Sequence, residues 1–122
     1  MIPTAISQEL GVTLDLHFLK KAHKVVRKNL VNPDFTVTLF ADEMCMSRMN
    51  LHRKLIELEN CSASGFIRQV RLQKAAQMIR NSEGNITQIC YDVGFNHPSY
   101  FARRFKEIYG ILPSEYAKNV IG

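Results

Sequence analysis

Apolar residues in this chain recur at helical spacing and never alternate with period two, so every regular element is expected to be a helix. Phe18, Leu19, Ala22, Val25, Val26 and Leu30 form the first stripe, predicting a helix from Leu14 with Thr13 as its N-cap and Asn32-Pro33 as its end. Residues 1–14 hold Pro3 and Gly11 without a helical stripe, and read as a leader or linker. A short helix is expected near 37–44, a break at Cys45-Met46, and a helix from Ser47 to Glu59 burying Leu51, Leu55 and Leu58. A long helix should run over 64–80. Its Ile67, Ala75 and Met78 fall on one side, and Leu72, Ala76 and Ile79 on the other, which suits a helix packed between two halves. Arg71 lies between those sides and is expected to be a buried, structural hydrogen-bond donor.

After a loop at 81–85 holding Gly84, Asn85 with Gln88 three residues on resembles a capping box opening a short helix over 86–93. Gly94-Phe95-Asn96 breaks it. The next helix spans 97–109, with Pro98 in its first turn and Gly110 as its C-terminal cap. A last helix covers 113–120. The expected fold is therefore all-α, with about seven helices in one domain over 15–122.

The pattern also repeats. Shifted by 49 residues, Val37, Phe40, Ala41, Met44, Cys45 and Met46 fall on Ile86, Ile89, Cys90, Val93, Gly94 and Phe95. Shifted by 50, Leu51, Arg53, Lys54, Leu55, Glu57 and Leu58 fall on Phe101, Arg103, Arg104, Phe105, Glu107 and Ile108. Each copy, 37–59 and 86–109, is a short helix, a tight turn and a longer helix: the helix-turn-helix layout, twice, joined by the long helix. Two helices crossing steeply at a tight turn need a small residue at the contact, which Ala41 and Cys90 supply. The turn favours a residue tolerant of positive φ, and Gly94 fits. Cys45 fits less well, so the first turn is expected to be strained or differently shaped. Two copies are too few for a solenoid array.

Composition changes this picture in one respect. The 122 residues carry a formal net charge of +5 and a pI near 9.3, which favours a polyanionic partner without naming it. Lys20, Lys21, Lys24, Arg27 and Lys28 share the outer side of the first helix, either as a solvated face or as phosphate contacts. Cys45, Cys61 and Cys90 are odd in number and widely spaced, consistent with buried free thiols rather than a disulfide or zinc framework. No apolar run is long enough for a membrane span, and no secretory signal is visible, so no membrane contact is expected from this segment. Paired carboxylates, nucleophile motifs and metal-ligand clusters are lacking, so neither an enzyme nor a cofactor is expected.

In a helix-turn-helix unit the second helix enters the major groove with its N-terminal residues facing base edges. Away from the buried stripe, the first unit presents Arg48, Met49, Asn50, His52, Arg53 and Lys54. The second presents His97, Ser99, Tyr100, Arg103, Arg104 and Lys106. Arginine can hold guanine in a bidentate fork, and Asn and His can bond base edges or phosphate. Arg53 and Arg103 could instead pair with Glu57 and Glu107, one turn on. A helix over 64–80 would be roughly 25 Å long at ~1.5 Å per residue, which with the half-widths of the units approaches the ~34 Å between successive major grooves. The rival reading is a helical protein-interaction or RNA-binding module that keeps the same architecture.

Ile89-Cys90, Gly94-Phe95, Ser99-Tyr100-Phe101, Arg103, Phe105-Lys106, Gly110 and Pro113-Ser114-Glu115-Tyr116 resemble the most specific stretch of the AraC/XylS family of bacterial transcription regulators. Phe40-Ala41, Met46-Ser47, Leu51, Arg53-Lys54-Leu55, Phe66-Ile67-Arg68, Arg71-Leu72 and Ala75 match its first unit, so the resemblance covers about residues 36–118. It implies groove contacts at Arg48, Met49, His52, Arg53, His97, Ser99, Tyr100 and Arg103, with Lys106 near phosphate. It also implies double-stranded DNA and RNA polymerase as partners, and a bacterial cytoplasmic setting. Departures are Cys90 for Ala, Cys45 and Asn60 where glycine is common, and Leu112 where Ser or Thr usually caps the last helix. A weaker resemblance covers residues 1–35. It is to the region preceding this domain in hybrid two-component regulators, and implies a C-terminal output domain of a longer, membrane-anchored protein that dimerises through parts not present here.

Overall fold

Thr4 to Lys28 form one continuous helix, α1, so the chain is helical ten residues ahead of the expected start at Leu14. The computed structural model describes residues 4–121, with side chains described from Gln8 to Asn119. Thr13 is accordingly no N-cap: its hydroxyl donates to the Glu9 carbonyl one turn back, at 3.0 Å. The leader reading is corrected from Thr4 onward, and Pro3 lies outside the described residues. Leu10, Val12, Leu14 and Leu16 are each more than half exposed. This stretch therefore rests on helix propagation from the anchored part of α1 rather than on core burial.

Six further helices follow among the described residues: α2 (Val37–Glu43), α3 (Arg48–Glu59), α4 (Ala63–Arg80), α5 (Ile86–Asp92), α6 (Pro98–Tyr109) and α7 (Pro113–Ile121). Their starts are set by side chains that accept orphan backbone N–H groups. Thr36 accepts from Leu39, Ser47 from Asn50, Ser62 from Gly65, and Asn85 from Gln88. Gln88 does not reach back to complete a capping box. Its amide donates forward to Asp92 at 2.8 Å. Asn60 and Gly110 end α3 and α6 in left-handed geometry, φ +54° and +82°.

There are two cores, one per unit, with α4 threading both. Ala63, Phe66, Ile67 and Val70 enter the first, against Ala22 and Val26 of α1, Phe40 and Ala41 of α2, and Leu51 and Leu55 of α3. Leu72, Ala75, Ala76 and Ile79 enter the second, against Ile89, Cys90, Phe101 and Phe105. The helix is thus divided along its length, not around its girth as its two apolar sides suggested. Ala75 and Met78 share the second core with Leu72, Ala76 and Ile79, because the units sit at opposite ends of α4. The last helix closes the second core through Tyr116, edge-on to Phe105 at 5.3 Å and bonded by Arg80 at 2.8 Å.

The two turns share one hydrogen-bond pattern. Met46 N–H donates to Ala41 and Phe95 N–H to Cys90, both at 3.0 Å, and Cys45 and Gly94 both take positive φ, +58° and +92°. The first turn is therefore strained at Cys45 rather than differently shaped. Cys45 is also exposed and Cys61 half-buried, so only Cys90 is the buried thiol expected. A left-handed non-glycine residue costs about 1–2 kcal/mol, partly offset by the backbone entropy glycine would lose. We expect Cys45→Gly to raise stability by about 0.5–1 kcal/mol in urea unfolding. Unchanged or lower stability would mean the turn bears no strain.

Arg71 ties the halves together. It is 8% exposed and lies on α4 between the cores. One guanidinium nitrogen donates to the Gly94 carbonyl at 2.9 Å, in the turn of the second unit, and the other to the Asn32 carbonyl at 2.8 Å, ahead of the first. Burial lowers its pKa, and two carbonyls take the place of a carboxylate partner, as a buried cation requires.

Candidate nucleic-acid interface

The buried stripes of α3 and α6 determine what each helix shows to solvent. At about 100° per residue, burying Leu51 and Leu55 turns Met49, Asn50 and Arg53 outward, and burying Phe101 and Phe105 does the same for Ser99, Arg103 and Lys106. All six are exposed, as are Arg48, His52 and His97 near the helix starts. Met49, at 76%, is among the most exposed apolar side chains described, a placement that a solvated monomer does not reward.

Three expected site residues sit differently. Lys54 and Arg104 occupy equivalent positions, three residues after Leu51 and Phe101, where helix geometry places them beside the core rather than opposite it. Lys54 reaches back to α1 and pairs with Asp15 at 2.7 Å, a contact that raises its pKa. Arg104 turns toward α4, into a cleft it shares with Arg68, Gln69 and Leu72, and bonds Glu107 at 3.1 Å. Tyr100 is half-buried, with the Arg103 and Arg104 guanidinium carbons 5.5 and 5.3 Å from its ring centre. Burial pushes the Tyr100 hydroxyl up, but the guanidinium groups of Arg104 and Arg68 outweigh it and hold the pKa below its ordinary value. Asn50 accepts a 2.6 Å hydrogen bond from Arg53, holding that guanidinium along the helix. Neither Arg53 nor Arg103 pairs with a glutamate among the described residues.

Two clefts adjoin at the start of α4, and the second of them reaches from one unit to the other. One is lined by Arg48, Met49 and His52 of α3 with Ser62 and Ser64 at the start of α4. It shares Val37 and Ser64 with the other, which continues past Arg68 to Asn96, His97 and Tyr100 of the second unit. Residues from both long helices thus border one continuous concave face, with the N-terminus of α4 between them. Arg68 in the middle of this face carried no expectation beyond the family pattern. Its position one turn after Ser64, on a side of α4 that enters neither core, is the signal that would have found it. The 18 residues of α4 give the separation between units a length of about 27 Å.

Comparison with known proteins places this geometry. Residues 40–119 match the family model described as a helix-turn-helix domain. Over 104 residues the chain is 38% identical to histidine kinase P4 of Formosa agariphila, covering 85% of this chain and 8% of that protein. It is 31% identical over 99 residues to the transcriptional activator CfaD of Escherichia coli, covering 81% of this chain and 37% of that protein. Among solved structures, a DNA-binding transcriptional dual regulator from E. coli K-12 superposes with a TM-score of 0.73 at 30% identity, over 83% of this chain and 89% of that one. The chain spans well under half the length of the curated relatives it matches.

Proposed function

Because the chain belongs to the AraC-type helix-turn-helix family of DNA-binding transcription regulators, we propose that one molecule seats α3 and α6 in successive major grooves on one side of a duplex. The observation that carries this reading is the continuous face running from Arg48, Met49 and His52 through Ser64 and Arg68 to His97 and Tyr100. Arg53 and Arg103 are the guanine readers. Arg48, Met49, His52, His97 and Ser99 meet base or groove edges, and Lys106 meets phosphate. Asn50 positions Arg53. Lys54 ties α3 to α1 through Asp15, and Arg104 is held along α6 by Glu107 and Tyr100, so both stand beside the reading faces instead of touching bases. Tyr100 then offers its hydroxyl edge to the duplex backbone from a fixed position.

We further infer that the chain is the output domain of a longer bacterial regulator acting on RNA polymerase in the cytoplasm. The coverage of only 8% of a histidine kinase supports a sensor elsewhere on the polypeptide. Dimerisation through such parts would place two copies on adjacent sites. Among the described residues no helix is long and apolar enough to cross a membrane.

The test is a titration against a duplex selected from random sequence and against its scrambled counterpart, at several salt concentrations. Specific binding should exceed scrambled binding by roughly 10³-fold or more and weaken steeply with salt. Equal affinity for both duplexes, or preference for single-stranded RNA, would favour the interaction-module reading.

A further inference from the structure

The basic charge of this chain is divided between two faces, and duplex reading accounts for one. On α4, Gln73 and Gln77 each follow a cleft residue, Ser64 and Arg68, by nine positions, about two and a half helical turns, and so point the opposite way. On that opposite side α1 and α4 enclose a groove of about 540 Å³ lined by Arg27, Leu30, Val70, Gln73, Lys74, Gln77 and Arg80. Its apolar part is supplied by Leu30 and Val70, both nearly buried. Its rim carries three cations and two amides. Among the described residues none of the three cations has a carboxylate within ion-pair distance. Lys74 donates only to Gln77 at 3.1 Å, and Arg80 to the Tyr116 hydroxyl. From Arg27 the charge continues along α1 through Lys24 and Lys20, one turn apart each, all exposed.

We propose that this groove and the adjoining stripe of α1 form a docking surface for an acidic polypeptide segment bearing an apolar anchor. Charge complementarity selects the acidic residues: three unpaired cations around one groove repel one another until a polyanion neutralises them. The groove's apolar surface and the glutamine amides select a polypeptide over nucleic acid. The aliphatic stems of Arg27, Lys74 and Arg80, above the buried Leu30 and Val70, can take an aliphatic side chain, and Gln73 and Gln77 can pair with peptide groups. A duplex held on the cleft side of α4 cannot reach this groove, since the body of the helix, about 10–12 Å across, stands between. The surface therefore stays open while DNA is bound, as a contact between a DNA-bound regulator and a second protein requires.

The experiment is an amide-resolved NMR titration of the ¹⁵N-labelled chain, free and bound to its selected duplex, with a glutamate-rich peptide carrying a central leucine pair. The comparison peptide has serine in place of both leucines. We expect shifts centred on Arg27, Gln73, Lys74 and Gln77 in both states, with roughly tenfold weaker binding of the serine peptide. Lys74→Glu and Arg27→Glu should each weaken the leucine peptide by roughly tenfold or more. Duplex affinity should stay within about threefold at physiological salt, where charges beyond ~8 Å are screened. Shifts centred on α3 and α6, displacement of the peptide by duplex, or equal binding of the two peptides would overturn the proposal. A Lys74→Glu loss in duplex affinity as large as the peptide loss would also overturn it, by assigning the groove to phosphate. Failure of duplex binding by the unmodified chain would instead count against the DNA-reading model alone.

Discussion

Gly94→Ala should destabilise the chain by about 2–5 kcal/mol, a large share of the ~5–15 kcal/mol by which a small domain is stable. Two costs combine. Gly94 sits at φ +92°, where a residue with a Cβ loses about 1–2 kcal/mol. The added Cβ would also lie 2.2 Å from the Leu30 carbonyl oxygen and 2.9 Å from the Arg71 guanidinium carbon. Leu30 O is backbone and Arg71 is held by two carbonyls, so neither can yield without moving the turn or the link between the units. Overpacking of this kind typically costs about 1–3 kcal/mol. Gly110→Ala separates the two costs. Gly110 also has positive φ, +82°, but its Cβ would meet nothing within 4 Å, so only the strain should be lost. Urea unfolding of both variants measures the difference. Equal losses in the two would mean that the contact of Gly94 with Leu30 and Arg71 is not the constraint described.

Arg53→Ala and Arg103→Ala should each weaken binding to a selected duplex by about 1–3 kcal/mol, roughly 5- to 150-fold, and relax base preference locally. Each removes one bidentate donor from an outward face while leaving the buried stripe of its helix untouched, so folding stability should change by less than ~0.5 kcal/mol. The first helix adds a finer expectation. The Asn50 carbonyl pre-positions the Arg53 guanidinium at 2.6 Å, so Asn50→Ala should lower specificity while Arg53 remains. Arg103 is placed by stacking over Tyr100 instead, which makes Tyr100 its positioning partner in the second unit. Binding of selected and scrambled duplexes by each variant decides the roles. Equal losses on both would reassign these arginines to phosphate contact.

Much of this architecture could be read from residue order, because a duplicated unit states each of its features twice. The alignment of Ala41 with Cys90 and of Cys45 with Gly94 located both turns, and even the strain at Cys45 followed from its equivalence to a glycine. Arg71 was identifiable as structural because it falls between two apolar sides of one helix, where a charge must find carbonyls. The N-terminal half of α1 was not legible. Leu10, Val12, Leu14 and Leu16 do alternate with period two, against the reading of the chain as free of such alternation, and face solvent, so no stripe marks the helix, and Gly11 points the wrong way. The flanking placement of Lys54 and Arg104 was not legible for another reason: periodicity separates buried from unburied positions but does not separate outward from flanking ones. Asp15 reaches Lys54 through tertiary packing that no spacing rule contains, whereas Tyr100 and Glu107 lie four residues before and three after Arg104, within reach by spacing alone. Division of the α4 apolar residues by length rather than by side also depended on where the two units dock.

The most direct test of two reading helices on one face is a guanine N7 methylation-interference footprint of the unmodified chain on its selected duplex. Two interference tracts on the same side of the duplex, centred about 10–10.5 base pairs apart, are expected. A single tract, or two tracts on opposite sides, would contradict simultaneous seating of α3 and α6 in neighbouring grooves.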